Sequence, residues 1–171
     1  MAAELCDRLA IQREIAFYNS LPVIFEDFID PPALLDGVIQ LFCIEKQPAN
    51  PEKGWVPAYV FAICKNAEEI GDISLQVGYT EELYYSGQIG YNIKKDHRGN
   101  GYAGRACRLL IEVARAHGLN RLLITNNVGN IASARVCEKL GARFLRQAPL
   151  PDWHELYMKG QRAVNIYEWR I

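Results

Sequence analysis

Three glycines, Gly99, Gly101 and Gly104, crowd into six positions of the stretch DHRGNGYAG (96–104). An amphipathic run follows at once. Over 102–117, Ala103, Ala106, Leu110, Val113 and His117 share one helical face, while Arg105, Arg108, Glu112 and Arg115 share the other. Gly118 is placed to end that helix as a left-handed cap. Glycines at this density let the backbone approach a phosphate with its N–H groups turned inward. The positive end of the following helix adds a few tenths to about 1 kcal/mol per favourable contact. The junction therefore predicts a strand–loop–helix unit that holds a diphosphate.

The flanking segments extend this unit. Ile89, Tyr91 and Ile93 alternate in QIGYNI as a strand, and RLLIT (121–125) is an apolar run suited to a buried strand beside a parallel neighbour. A second helix runs from the N-cap residue Asn130 to Leu140, with Gly141 at its end. ARFLR (142–146) and VNIYEWRI (164–171) close the chain as strands, and the last is expected to offer an edge to a second copy in a homodimer. Upstream, PAYVFAIC (57–64) and the alternating 72–77 form an antiparallel hairpin about KNAEE. GYTEELYYSG (78–87) is predicted to be a loop, VIQLFCIEK (38–46) a strand, and 1–35 mainly helical up to the break at Pro31 and Pro32. The fold class is α+β: a single mixed, mostly antiparallel sheet flanked by helices, in one domain over 1–171.

Composition narrows the function classes. The formal net charge is -1, which gives no reason to expect nucleic acid or an anionic membrane as a partner. No apolar run approaches the roughly 20 residues of a membrane span. The N-terminal stretch is charged throughout, unlike a signal peptide, so a cytoplasmic location is expected. Five scattered cysteines without a C-x-x-C pair suit free thiols in a reducing compartment, and the three histidines lack ligand spacing, so no metal site is expected.

The glycine loop fits two patterns. From Gly99 it is G-x-G-x-x-G, the dinucleotide fingerprint; from Arg98 it is R-x-x-G-x-A through Gly101 to Ala103. A dinucleotide site needs its glycines at the tip of a buried parallel strand and an acid at the end of the next strand. Here KKDHR intervenes after Ile93, the next strand ends in Thr125, Asn126 and Asn127, and the preceding strands are antiparallel in character. The oxidoreductase reading thus fails on three counts.

With R-x-x-G-x-A at 98–103 and N-x-x-S…E-K-L-G at Asn130, Ser133 and 138–141, the chain resembles the GNAT superfamily of N-acetyltransferases over roughly 38–171. GWVPAYVF and SGQIGYNI are similar to a widespread bacterial branch of it. The resemblance implies an acetyl-CoA-binding core over 88–141 and acetyl transfer from acetyl-CoA to a primary amine, on a small molecule or a peptide, by direct attack. It implies a gap between the strands 88–93 and 121–125, with main-chain groups of Tyr91, Asn92 and Ile93 taking the pantetheine arm. Amides of Arg98, Gly99, Asn100, Gly101, Tyr102, Ala103 and Gly104 would take the diphosphate. Asn130, with Ser133 of the same motif, would bind the arm, and the Ile93 N–H would stabilise the oxyanion.

Two positions depart from the family's pattern. Many members place a tyrosine seven residues after the motif asparagine as general acid, where this chain has Cys137. The glutamate often found five residues before that asparagine is here Thr125. Cys137 is the candidate acid and the base is unassigned. These departures motivate the alternative of a non-catalytic acyl-CoA-binding module. Glu81, Glu82, Tyr84, Tyr85 and Asn127 could reach an acceptor but read first as solvated or structural; Trp55, Trp153 and Trp169 suit an acceptor wall or core packing equally; Lys94, Lys95 and Arg135 could attract an outer phosphate but read first as ordinary exposed charges; and His97 is expected to face solvent.

Overall fold

The computed structural model describes residues 2–171. Its elements run α1 (Ala2–Asn19), β1 (Leu34–Leu35), β2 (Gln40–Gln47), β3 (Ala58–Lys65), β4 (Glu68–Gln76), α2 (Glu81–Ser86), β5 (Ile89–Ile93), α3 (Tyr102–Ala116), β6 (Arg121–Asn127), α4 (Ile131–Leu140), β7 (Arg143–Pro149), α5 (Glu155–Met158) and β8 (Ala163–Arg170). Asn66 and Ala67, both left-handed at φ 50° and 65°, close the β3–β4 hairpin in a two-residue turn. The strands form an antiparallel five-stranded sheet in the order β1-β2-β3-β4-β5 and an antiparallel three-stranded sheet in the order β6-β8-β7. The mostly antiparallel α+β architecture is as expected from sequence, drawn apart between β5 and β6.

The two sheets are stitched at one end. Among the described residues, the only backbone hydrogen bond across this seam runs from the Gln88 N–H to the Leu123 carbonyl, at 2.9 Å. The buried Gln88 side chain adds a second link, its Oε1 accepting from the Leu123 N–H at 2.6 Å. Gly87 makes the stitch possible, because its φ of 79° and ψ of 162° belong to a region essentially restricted to glycine. A Cβ on Gly87 would stand 2.9 Å from the Leu123 oxygen. Gly87→Ala is therefore expected to lower stability by roughly 1–3 kcal/mol and loosen this seam, measured by chemical denaturation.

One hydrophobic cluster packs α3, through Ala106, Cys107, Leu110, Val113 and Ala114, against Phe61, Ile63, Ile73 and Leu75 of the larger sheet. A second joins Ile11, Ile15 and Tyr18 of α1 and Tyr84 and Tyr85 of α2 to Leu123, Val164 and Ile166 of the smaller one. Two buried polar groups lie at the margins. Glu168 of β8, 2% exposed, accepts from the Tyr18 hydroxyl (2.8 Å), Arg121 (3.0 Å), Arg170 (3.0 Å) and Arg143 (3.4 Å). Burial alone would raise its pKa, but hydrogen bonds from Tyr18, Arg121 and Arg170 outweigh that and hold it at about 2.

His117, at the C-terminal end of α3, is the other. Its Nδ1 lies 3.0 Å from the Ile24 carbonyl, which can only accept, so Nδ1 carries a proton. Its Nε2 pairs with the Tyr59 hydroxyl at 2.8 Å, and that hydroxyl accepts from the Ile29 N–H at 2.8 Å.

Three sequence expectations need correction. The N-terminal helix ends at Asn19, and 20–33 has no helix or strand because its hydrogen bonds run to His117 and Tyr59 instead. The stretch 78–87 is not all loop: Thr80 caps α2, its hydroxyl accepting from the Leu83 N–H at 3.1 Å. The final strand β8 is no edge, since β6 and β7 pair with it on both sides.

Candidate active site

The open part of the seam is lined by main-chain groups of β5. Lys94 N–H donates to the Ile70 carbonyl and Gln76 N–H to the Gln88 carbonyl, which fixes the even-numbered residues of β5 as those bonded to β4. Backbone groups alternate in direction along a strand, so Ile89, Tyr91 and Ile93 turn their N–H and C=O away from β4, toward the gap. The expectation for Asn92 is corrected accordingly: its main chain serves the β4 ladder, and it lines the cleft by other atoms. The gap opens into a cleft of about 1110 Å3.

At the loop end, the Arg98 guanidinium donates from Nε to the Ile93 carbonyl at 2.8 Å, tying the loop to the strand end. The Asn100 amide donates to the His97 and Arg98 carbonyls at 3.0 and 3.1 Å, curling the chain between them. Gly99 (φ 80°) and Gly101 (φ 76°) are both left-handed. Gly101 caps α3 without any side-chain hydrogen bond, so the first-turn amides of Tyr102, Ala103 and Gly104 have no intrahelical acceptor. All seven loop residues line the cleft.

The far wall is the start of α4. Asn130 caps that helix with its Oδ1, accepting from the Ser133 N–H at 3.1 Å, which leaves its amide NH2 free to donate. The Ser133 hydroxyl pairs with that of Tyr91 at 2.8 Å, joining α4 to β5 across the cleft. Burial pushes the Tyr91 phenol up to about 12. Arg105, Arg108, Arg135 and Lys139 bring positive charge to the rim against one carboxylate, Asp36, which pairs with Arg105 at 2.7 Å. Arg135 and Lys139 have no ion-pair partner among the described residues. The arrangement is a bowl of unpaired helix-start amides with a cationic rim, leading into a slot lined by free amides, a donor set suited to an anion.

Compared with known families, the chain matches the acetyltransferase (GNAT) domain over residues 18–143. The chain belongs to the GNAT acetyltransferase family. No curated protein matches it. A solved structure described as a probable acetyltransferase is 29% identical with a TM-score of 0.52, over 66% of this chain and 62% of that one. An acetyltransferase from Salmonella typhimurium that modifies the N-terminal serine of ribosomal protein L7/L12 is 22% identical (TM-score 0.53; 70% and 66% covered). RimL, a ribosomal L7/L12 α-N-protein acetyltransferase in complex with coenzyme A, is 17% identical (TM-score 0.57; 80% and 96% covered). The chain thus spans less than two thirds of the first two.

Within this GNAT frame the unusual positions can be placed. Cys137 is fully buried on the inner face of α4, its Sγ 4.0 Å from the Asn126 amide, and it does not line the cleft. Burial pushes its thiol up to about 11. This corrects the expectation of a general acid there: the buried side chain does not reach the slot. Cys137→Ala is expected to leave turnover unchanged and to cost about 1 kcal/mol of stability, read by steady-state rates and thermal melting. Thr125 pairs with Ile166 in the β6–β8 ladder and likewise stays outside the cleft.

The remaining candidates scatter. Tyr84 is buried and donates to Glu14 at 2.6 Å, Tyr85 packs edge-on against Trp153, and Trp169 belongs to the core. Lys94 turns to Glu69, while His97 lines the cleft and contacts Glu68 at 3.3 Å. Sequence reasoning assigned Arg105 and Arg108 to a solvated helix face and overlooked Asp36 and Lys139. Arg105 and Arg108 each follow a loop glycine, Gly101 and Gly104, by four residues, and Lys139 follows Arg135 by four on the same helix, which was the available signal for the cations; Asp36 had none.

Proposed function

We propose that the protein transfers an acetyl group from acetyl-CoA to a primary amine by direct attack in a ternary complex. The observation that carries this reading is the slot: unpaired β5 amides leading to a bowl of helix-start amides with a cationic rim. A coenzyme A molecule fits these donors in kind. The amides at 98–104 suit its diphosphate, Arg135 and Lys139 its outer phosphate, and the amide groups of the pantetheine arm suit Tyr91, Ile93 and the Asn130 NH2. Acetyl-CoA supplies the activated acyl group: the neutral amine nitrogen forms the C–N bond, the C–S bond breaks, the amine sheds one proton and coenzyme A departs as the thiol.

The chain's own contribution is alignment and charge stabilisation. A preorganised backbone N–H aimed at the developing oxyanion is worth roughly 3–4 kcal/mol. Ile93, chosen from sequence, sits at the phosphate end of the slot with its carbonyl held by Arg98. At about 3.3 Å of rise per residue, Tyr91 lies about 7 Å further along the strand. The arm must run along β5 from the diphosphate before the acetyl group is reached, so the Tyr91 N–H takes the oxyanion role and the Ile93 N–H holds the arm.

Calorimetry with coenzyme A and thiol release from acetyl-CoA with a panel of primary amines test the reading. Coenzyme A binding together with amine-dependent thiol release is expected. Binding without release to any amine would leave the non-catalytic acyl-CoA-binding module, and NAD binding in its place would revive the oxidoreductase.

A further inference from the structure

A second cavity, of about 320 Å3, lies on the other side of β5. Its floor is Ser74 and Gln76 of β4 and Gly90 of β5, even-numbered positions whose odd neighbours Ile73, Leu75 and Ile89 point into the core under α3. The coenzyme cleft and this cavity therefore share one strand as their partition, with Tyr91 lining one and Gly90 the other. Gly90 keeps the floor open: a Cβ there would project beside the Ser74 hydroxyl, 3.1 Å away.

The lining has a definite chemistry. Trp55, Val56, Pro48 and Leu83 supply apolar wall, and the only charged groups are the carboxylates of Glu82 and Glu155. No Lys, Arg or His lines it, in contrast to the cationic coenzyme cleft. The half-buried Glu82 carboxylate has no hydrogen-bond or ion-pair partner among the described residues. Glu155 pairs with Lys159 at 2.5 Å, but both side chains are mostly exposed, and such a pair contributes little and exchanges readily. Lys53 is exposed and stacks on the Trp55 ring outside the lining, and the buried His154, whose Nε2 lies 3.3 Å from the Glu82 main-chain carbonyl, also stays outside it.

Resting on the acetyl-transfer reading, we infer that this cavity is the acceptor site and that it selects a small, net-cationic amine without a carboxylate. One amino group reaches the partition strand in its neutral form and attacks. A second, charged end is held by Glu82 and Glu155, with the aliphatic stem against Trp55. A volume at the low end of ordinary ligand pockets favours a compact molecule over a folded protein substrate.

Three probes of equal chain length test this: 1,4-diaminobutane, 1-aminobutane and 4-aminobutanoate, whose far ends are cationic, neutral and anionic. Thiol release should give kcat/KM falling in that order, by about tenfold per step, the equivalent of one good charge contact. Glu82→Gln and Glu155→Gln should bring the diamine toward the monoamine. Gly90→Leu should lower kcat/KM for all three at least about tenfold while coenzyme A affinity by calorimetry stays at the wild-type value. Equal rates on the three amines, or full activity of Gly90→Leu, would overturn the inference. So would acetylation of a tripeptide N-terminus with none of the three used, and in that case the acetyl-transfer reading would survive. Absence of coenzyme A binding would remove both.

Discussion

Gly101→Val is expected to abolish measurable coenzyme A binding, a loss of more than about 100-fold, or roughly 3 kcal/mol. The reason is conformational. Gly101 holds φ at 76° as the cap of α3, and nothing lies within 4 Å of where its Cβ would be, so the added side chain has room in the free protein. Glycine here also allows close approach of a phosphate, but the larger penalty of a substitution lies in the backbone. A β-branched residue is a poor occupant of the left-handed region, at a cost of roughly 1–2 kcal/mol. Leaving that region turns the amides of Tyr102, Ala103 and Gly104 away from their common focus. Gly101→Ala carries the dihedral penalty without the branch and should fall between the two. Calorimetry measures the affinity and thermal melting the stability; wild-type affinity in Gly101→Val would refute the loop as the diphosphate cradle.

Glu168→Gln is expected to destabilise the fold by roughly 3–5 kcal/mol at neutral pH, the usual cost of removing one partner from a buried ion pair. Arg121 and Tyr18 bear most of this, because Arg143 and Arg170 are largely solvated and already screened. The effect has a pH signature. The Glu168 carboxyl titrates at about 2 in the folded chain, below its ordinary 4.5. A depressed folded pKa means the stabilisation is fully present above about 4.5 and is lost as the pH falls toward about 2. The gap between wild-type and Glu168→Gln denaturation midpoints should therefore narrow on acidification through that window. Equal midpoints at pH 7 would show that the cluster contributes nothing net.

The parts of the fold legible in the sequence are those with local causes. The helices α3 and α4 announce themselves by apolar periodicity, an asparagine cap and closing glycines, and the hairpin β3–β4 by alternation. The loop between Arg98 and Gly104 is equally local, and the residues that its glycine pattern singles out all line the cleft beside β5. α2 escaped because its six residues bury the consecutive Leu83, Tyr84 and Tyr85, a pattern with no helical stripe, although Thr80 is a proper cap. Glu168 looks like any solvent-facing strand residue until β6, β7 and α1 bring its partners from far along the chain. The order β6-β8-β7 and the second cavity are non-local in the same sense. The cavity collects residues from the end of β2, from the connection between β2 and β3, and from β4, β5, α2 and α5, and no spacing rule relates them.

The ring of His117 has a consequence for the stretch 20–33. Ile24 is held twice by one residue, its N–H by the His117 carbonyl at 2.8 Å and its carbonyl by the His117 ring, while Ile29 hangs from Tyr59. A segment devoid of regular structure is thereby bolted to His117, at the far end of the helix that the glycine loop opens, and to Tyr59 of β3. Such a strap offers proteases no easy loop to thread, since cleavage needs local unfolding that would break all of these bonds together.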